Sequence, residues 1–128
     1  MSLRSPLGRV LGHGSAKGGS SHWYLQRLSA VALVLLGLWL MGALSRIGPA
    51  SLENVVAWLR SPLSSALTIL FIAVAAYHAQ LGVQVILEDY VAAKGTRALL
   101  LIAVKFAFTV AALIGVLSVL RIAFGVQA

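Results

Sequence analysis

Three apolar runs, each close to the length of a bilayer crossing, constrain this chain more than any other feature. A helix rises 1.5 Å per residue, so about 20 largely apolar residues are needed to cross a hydrocarbon core of about 30 Å. Residues 25–45, 62–87 and 98–124 meet that requirement, and Arg27 and Arg46 at the edges of the first run can carry their charge outward on aliphatic stems. A surface made from 60% hydrophobic and only 10% charged residues calls for lipid as its solvent. The expected fold is therefore all-α and integral to the membrane, with three transmembrane helices and a short interfacial helix between the first and second. A chain of 128 residues spent on three spans has no room for a separate soluble catalytic domain, so any chemistry is shared with partners.

The connections support the same division. Residues 1–22 are rich in Gly and Ser, carry Arg4, Arg9 and Lys17, and lack the apolar core of a signal peptide, which predicts a flexible basic cytoplasmic tail ahead of a three-span membrane domain over 23–128. Between Ser45 and Ser61, residues Leu52, Val55, Val56 and Leu59 recur at helical spacing, with Trp58 placed for headgroup depth. Ser61 before Pro62 predicts a helix start, the hydroxyl capping free amides and the proline lacking one. Glu88 to Tyr90 and Lys94 to Arg97 predict the second turn.

The net charge of +7 is spread along the edges of the apolar runs, without the basic patch that nucleic-acid binding requires. Arg4, Arg9, Lys17, Arg27, Lys94 and Arg97 fall on one side of the expected spans, against Arg46, Arg60 and Arg121 on the other. The positive-inside rule then puts the N-terminus in the cytoplasm and the C-terminus across the membrane. The chain has no cysteine, which excludes disulfides, thiolate metal sites and Cys-held iron–sulfur clusters within it. Small residues such as Gly37, Gly42, Ala76, Gly82, Ala112 and Gly115 permit close helix approach, within the chain or to a partner.

Few polar side chains interrupt the spans. His78 lies about two-thirds along the second, and an ionisable group at that depth is a functional candidate. A neutral imidazole is a good axial ligand for haem iron, and Gly82, one turn on, removes bulk where a flat macrocycle could lie. The alternative is a histidine hydrogen-bonded to a neighbouring helix, and a lone imidazole does not choose between the two. Asp89 follows eleven residues later, about 20° from His78 on the helical wheel and about 16 Å along the axis. Tyr90 beside it could donate a hydrogen bond to a quinone carbonyl, although tyrosine is also common in interfacial belts and acids commonly end a span.

Arg27 could pair with a haem propionate or hold charge at a quinone site, or could snorkel to lipid phosphate. Ser29 could offer a hydroxyl to the same pocket, with a bond to its own backbone the stronger expectation. Lys105, read as two turns into the third span, is expected to snorkel. His13 and His22, in or beside the tail, receive no role.

Two motifs resemble a known family. One runs from His22, Trp23 and Tyr24 through Gln26 and Arg27 to Ser29 and Ala30; the other runs from His78 through Gly82, Val83, Gln84 and Val85 to Glu88, Asp89, Tyr90 and Val91. Both resemble the smaller hydrophobic membrane anchor of succinate dehydrogenase, respiratory complex II, in its alphaproteobacterial type, and the likeness covers essentially the whole chain. The Arg-His-Leu segment typical of the larger anchor of that complex, after its haem histidine, is absent; Gln84 and Val85 stand in that place.

The resemblance implies a multi-pass subunit of the bacterial inner membrane, partnered by the larger anchor, an iron–sulfur subunit and a flavoprotein. Electrons from succinate would pass through FAD and iron–sulfur clusters on those partners to ubiquinone. His78 would be one axial ligand of haem b, Tyr90 would hydrogen-bond the quinone, and Asp89 would shape that site and its proton supply. Arg27 resembles the family's basic residue near the propionates. A fumarate reductase anchor and a haem-free structural anchor are the alternatives. A small transporter is disfavoured, because the first and third spans contain no acidic coupling residue.

Overall fold

Long apolar segments in lipid must satisfy their backbone internally, and helices do so within each segment. The computed structural model describes residues 19–48 and 51–125, and these form four helices: α1 (Gly19–Leu44), α2 (Leu52–Leu59), α3 (Pro62–Tyr90) and α4 (Lys94–Ala123). There is no strand among the described residues. Three helices are long and apolar enough to cross a membrane, spanning Ser20–Leu44, Pro62–Tyr90 and Lys94–Ala123. The short α2 stands between the first and second of them, as expected. Most of the predicted tail, with His13, lies outside the described residues, while its last part, from Gly19, is already helical in α1.

α3 is the central helix. It packs against α1 on one side and α4 on the other, and the α1 and α4 backbones do not come together among the described residues. At the α3–α4 interface, a Cβ added to Gly115 would lie 3.0 Å from Ile72 Cγ2, so the missing side chain sets how closely the two helices approach. α2 lies against α3 and α4 at the end of the bundle opposite Tyr90. Its Trp58 stacks on Trp39 of α1, with ring centroids 5.9 Å apart, so this indole is tied to the first span.

The interior is thin. Leu59, Leu81 and Val119 are the buried apolar side chains among the described residues, whereas Leu35, Leu38, Met41, Phe106 and Ile114 are exposed. Water would not tolerate such a surface; lipid and neighbouring helices would. Hydroxyls on the spans are satisfied locally: Thr68 donates to the Ser64 carbonyl at 2.7 Å, Thr109 to Lys105 at 2.8 Å and Ser118 to Ile114 at 2.7 Å.

Three local expectations change. The second turn is only residues 91–93, because α3 continues through Glu88, Asp89 and Tyr90 and α4 already begins at Lys94. Gln84 donates to Glu88 at 2.8 Å and Arg97 reaches the Glu88 carbonyl at 3.4 Å, so side chains support the last turn of α3 where intrahelical donors run out. Ser61 occupies the N-cap position of α3, with Pro62 at the helix start, but makes no capping hydrogen bond. The capping serine is Ser51, which accepts from the Asn54 amide at 3.2 Å at the start of α2. Finally, the early start of α4 puts Lys105 about three turns inside the helix rather than two, exposed and beyond the first polar turn.

Candidate functional site

Side chains three or four residues apart share a helix face. On α1 this brings Gln26 and Ser29 together, and on α3 it aligns His78, Leu81, Gly82 and Val85. These two faces meet. Ser29 is buried, with 7% of its surface exposed, and its Oγ lies 2.9 Å from His78 Nδ1. The Ser29 hydroxyl also donates to the Gln26 carbonyl at 3.0 Å. Gln26 Nε2 stands 3.5 Å from His78 Nε2, a long contact at the limit of hydrogen bonding. The imidazole therefore points at α1 and not at lipid.

One turn from this cluster, His22, Trp23, Gln26, Arg27, Gly82 and Val85 line a cleft of about 370 Å³, towards the small end of the about 300–1,000 Å³ common for ligand pockets. The Arg27 guanidinium carbon lies 4.9 Å from the Trp23 ring centroid, a cation–π arrangement that holds the charge at the cleft while leaving the side chain exposed. A Cβ on Gly82 would meet only Gln26 Nε2, at 3.7 Å, so the residue keeps the α3 wall of the cleft low. His22 Nε2 and Gln26 Oε1 are shielded from solvent without a hydrogen-bond partner. Two polar atoms in that condition, beside an arginine, make this wall suited to a group that brings its own donors and acceptors.

Asp89 and Tyr90 are the last two residues of α3 and lie apart from the histidine cluster. Both are exposed, Tyr90 at 84%, and neither side chain hydrogen-bonds to another described residue. Among the described residues they have no facing wall, so a pocket built on them needs further surfaces. No cluster of three or more His, Cys, Asp or Glu side chains that could hold a metal ion occurs among the described residues.

The sequence matches, over residues 1–114, the family described as succinate dehydrogenase/fumarate reductase transmembrane subunit. It is 38% identical over 104 residues to a succinate dehydrogenase hydrophobic membrane anchor subunit of Rickettsia bellii, covering 80% of this chain and 82% of the relative. The chain belongs to this family. It is an anchor of the alphaproteobacterial type that its motifs suggested. A Paracoccus denitrificans anchor subunit is 30% identical over 108 residues, 84% of each chain. A succinate dehydrogenase membrane anchor subunit of Reclinomonas americana is 34% identical over 84 residues, 63% of this chain and 70% of that one.

For a succinate dehydrogenase anchor, the thin interior has a direct cause: the protein functions in a complex, and much of its apolar surface is available to other subunits. From the sequence Ser29 ranks below its neighbours and His22 has no role; the structure puts Ser29 against His78 and His22 in the lining of the cleft. Ser29 makes the backbone bond that was expected and contacts the histidine as well. The available signal was the i, i+3 spacing of Gln26 and Ser29, two polar residues facing one way near the entry of an apolar helix.

Proposed function

We propose that this anchor supplies His78 as one axial ligand of haem b and that Tyr90 and Asp89 contribute to the ubiquinone-reduction site of a succinate dehydrogenase. The observation that carries the proposal is the position of the imidazole: it is held at an interhelical face by Ser29, next to a cleft with low bulk at Gly82 and two unpartnered polar atoms. Haem b, when bound, supplies a one-electron store between the reduced partner subunits and the quinone. His78 would hold it through a ring nitrogen, and Arg27 would offer its guanidinium to a propionate or to charge at the quinone site. The second axial ligand and the remaining walls would come from the larger anchor, with the iron–sulfur subunit and flavoprotein docked beyond.

Quinone reduction takes up two protons, so its site belongs near an aqueous boundary. Tyr90 and Asp89 at the end of α3 have that placement: the phenol would hydrogen-bond a quinone oxygen, and the carboxylate would hold or pass a proton beside it. The charge distribution supports a cytoplasmic location for this end, with Lys94 and Arg97 adjacent, in a bacterial inner membrane with the C-terminus in the periplasm.

The test is the His78→Ala substitution in the co-expressed complex. Loss or strong perturbation of the b-type haem spectrum is the expected result, and an unaltered spectrum at full haem content refutes ligation. A second reading has its own observation: Ser29 and Gln26 together contact both ring nitrogens, as they would in a haem-free structural anchor. A purified wild-type complex that is fully active without haem selects that reading. Comparison of ubiquinone with menaquinone as substrate separates the succinate-oxidising direction from a fumarate reductase.

A further inference from the structure

A neutral imidazole carries one ring proton, and the contacts around His78 determine where it is. The Ser29 hydroxyl also has one proton, and that proton is committed to the Gln26 carbonyl at 3.0 Å. At 2.9 Å from His78 Nδ1, the same oxygen can then only accept, so Nδ1 is the donor. The second contact agrees. The Gln26 amide nitrogen stands 3.5 Å from His78 Nε2, a long contact that suits a lone pair on Nε2, while the Ser29 contact carries the tautomer.

We infer that Ser29 is a positioning residue that fixes His78 as its Nδ1–H tautomer and presents Nε2 as the ligating nitrogen. The inference rests on the haem-ligation reading above and adds the device that orients the ligand. Ligating histidines commonly need a second hydrogen bond of this kind, since it sets the ring plane and raises the basicity of the metal-bound nitrogen. Here the acceptor is a hydroxyl whose own proton is anchored to the α1 backbone, so the chain Nδ1–H to Ser29 Oγ to Gln26 carbonyl has a fixed direction. The Gln26 amide, held only by the long contact, turns aside when Nε2 takes another partner. Burial of Ser29 keeps lipid headgroups and water from replacing the hydroxyl.

The experiment compares Ser29→Ala and Ser29→Thr in the fully assembled complex, with the haem midpoint potential and the low-temperature electron paramagnetic resonance of the ferric haem as readouts. Ser29→Ala removes the acceptor from Nδ1–H, makes the imidazole a weaker donor to ferric iron and shifts the potential to a more positive value with altered g-values. Ser29→Thr retains the oxygen and keeps both near wild type. A Ser29→Ala complex with wild-type potential and g-values overturns the inference. Should Ser29→Ala lose its haem, retention in Ser29→Thr supports the inference and loss from both overturns it. His78→Ala separates the two levels: full haem content there removes the ligation reading itself, whereas haem loss there with an unaltered Ser29→Ala complex removes only the role of Ser29.

Discussion

Ser29 Oγ lies 2.9 Å from His78 Nδ1, joining the first span to the central helix a little past the midpoint of the latter. This contact turns an isolated ionisable residue into part of a polar cluster with Ser29 and Gln26. It also settles which way the imidazole faces, because a ring bonded to α1 cannot at the same time project into lipid on the α4 side of α3. The cleft lined by Arg27, His22 and Gly82 opens beside that contact, and the exposed Asp89 and Tyr90 lie further along the same helix.

Tyr90→Phe is expected to lower quinone reductase kcat/KM by about 2- to 10-fold, the worth of one hydrogen bond of about 0.5–1.5 kcal/mol, while the haem spectrum stays unchanged. The ring remains, and the side chain is 84% exposed, so folding is not at stake. Steady-state assays with a short-chain ubiquinone check this. Wild-type kinetics would remove Tyr90 from the site.

Gly115→Leu is expected to force α3 and α4 apart, because even a Cβ at this position comes within 3.0 Å of Ile72 Cγ2. Overpacking of this kind costs about 1–3 kcal/mol, visible as a lower thermal midpoint of the complex. Gly115→Ala needs only a small shift of the flexible Ile72 side chain and should be milder. A Cβ at Gly37 meets nothing within 4 Å among the described residues, so a comparable loss in Gly37→Leu would locate a partner helix against α1.

Ser51→Ala should weaken α2 by about 0.5–2 kcal/mol, since the hydroxyl caps the Asn54 amide. Ser61→Ala should leave the start of α3 nearly unaffected, because the Ser61 hydroxyl makes no capping bond. Hydrogen exchange of the first-turn amides of each helix distinguishes them. Equal effects would contradict the assignment of the two serines.

Much of the architecture is legible along the chain because lipid imposes a demand that can be counted. The run from Pro62 onward and the run around Lys105 are apolar over the length of a crossing, and the structure puts helices there. The boundaries were less legible. Glu88, Asp89 and Tyr90 carry turn-like polarity, yet Gln84 and Arg97 support the last helical turn through side chains, and that support depends on where α4 begins. Ser61 and Ser51 show the same limit: both are serines ahead of apolar helical segments, and only local backbone geometry selects the one whose oxygen meets an amide.

The candidate site divides along the same line. His78 could be singled out because an imidazole inside an apolar span is costly unless it has a use or a partner. The roles of Gln26, Ser29 and His22 could not be ranked from position alone, since a polar residue near a helix entrance satisfies itself equally well through its own backbone or the headgroups.

The sequence by itself determined that this chain crosses a membrane three times, with a small amphipathic helix after the first crossing and an imidazole within the second. Segment length, hydropathy and charge act through the bilayer without reference to any other part of the fold. Only the tertiary structure decided that α3 lies between α1 and α4, that Gly115 meets Ile72 and that Ser29 meets His78. Those outcomes depend on the rotation of each helix about its axis, which is selected by side-chain packing between segments about fifty residues apart and is nearly free in a helix whose surface is apolar all round.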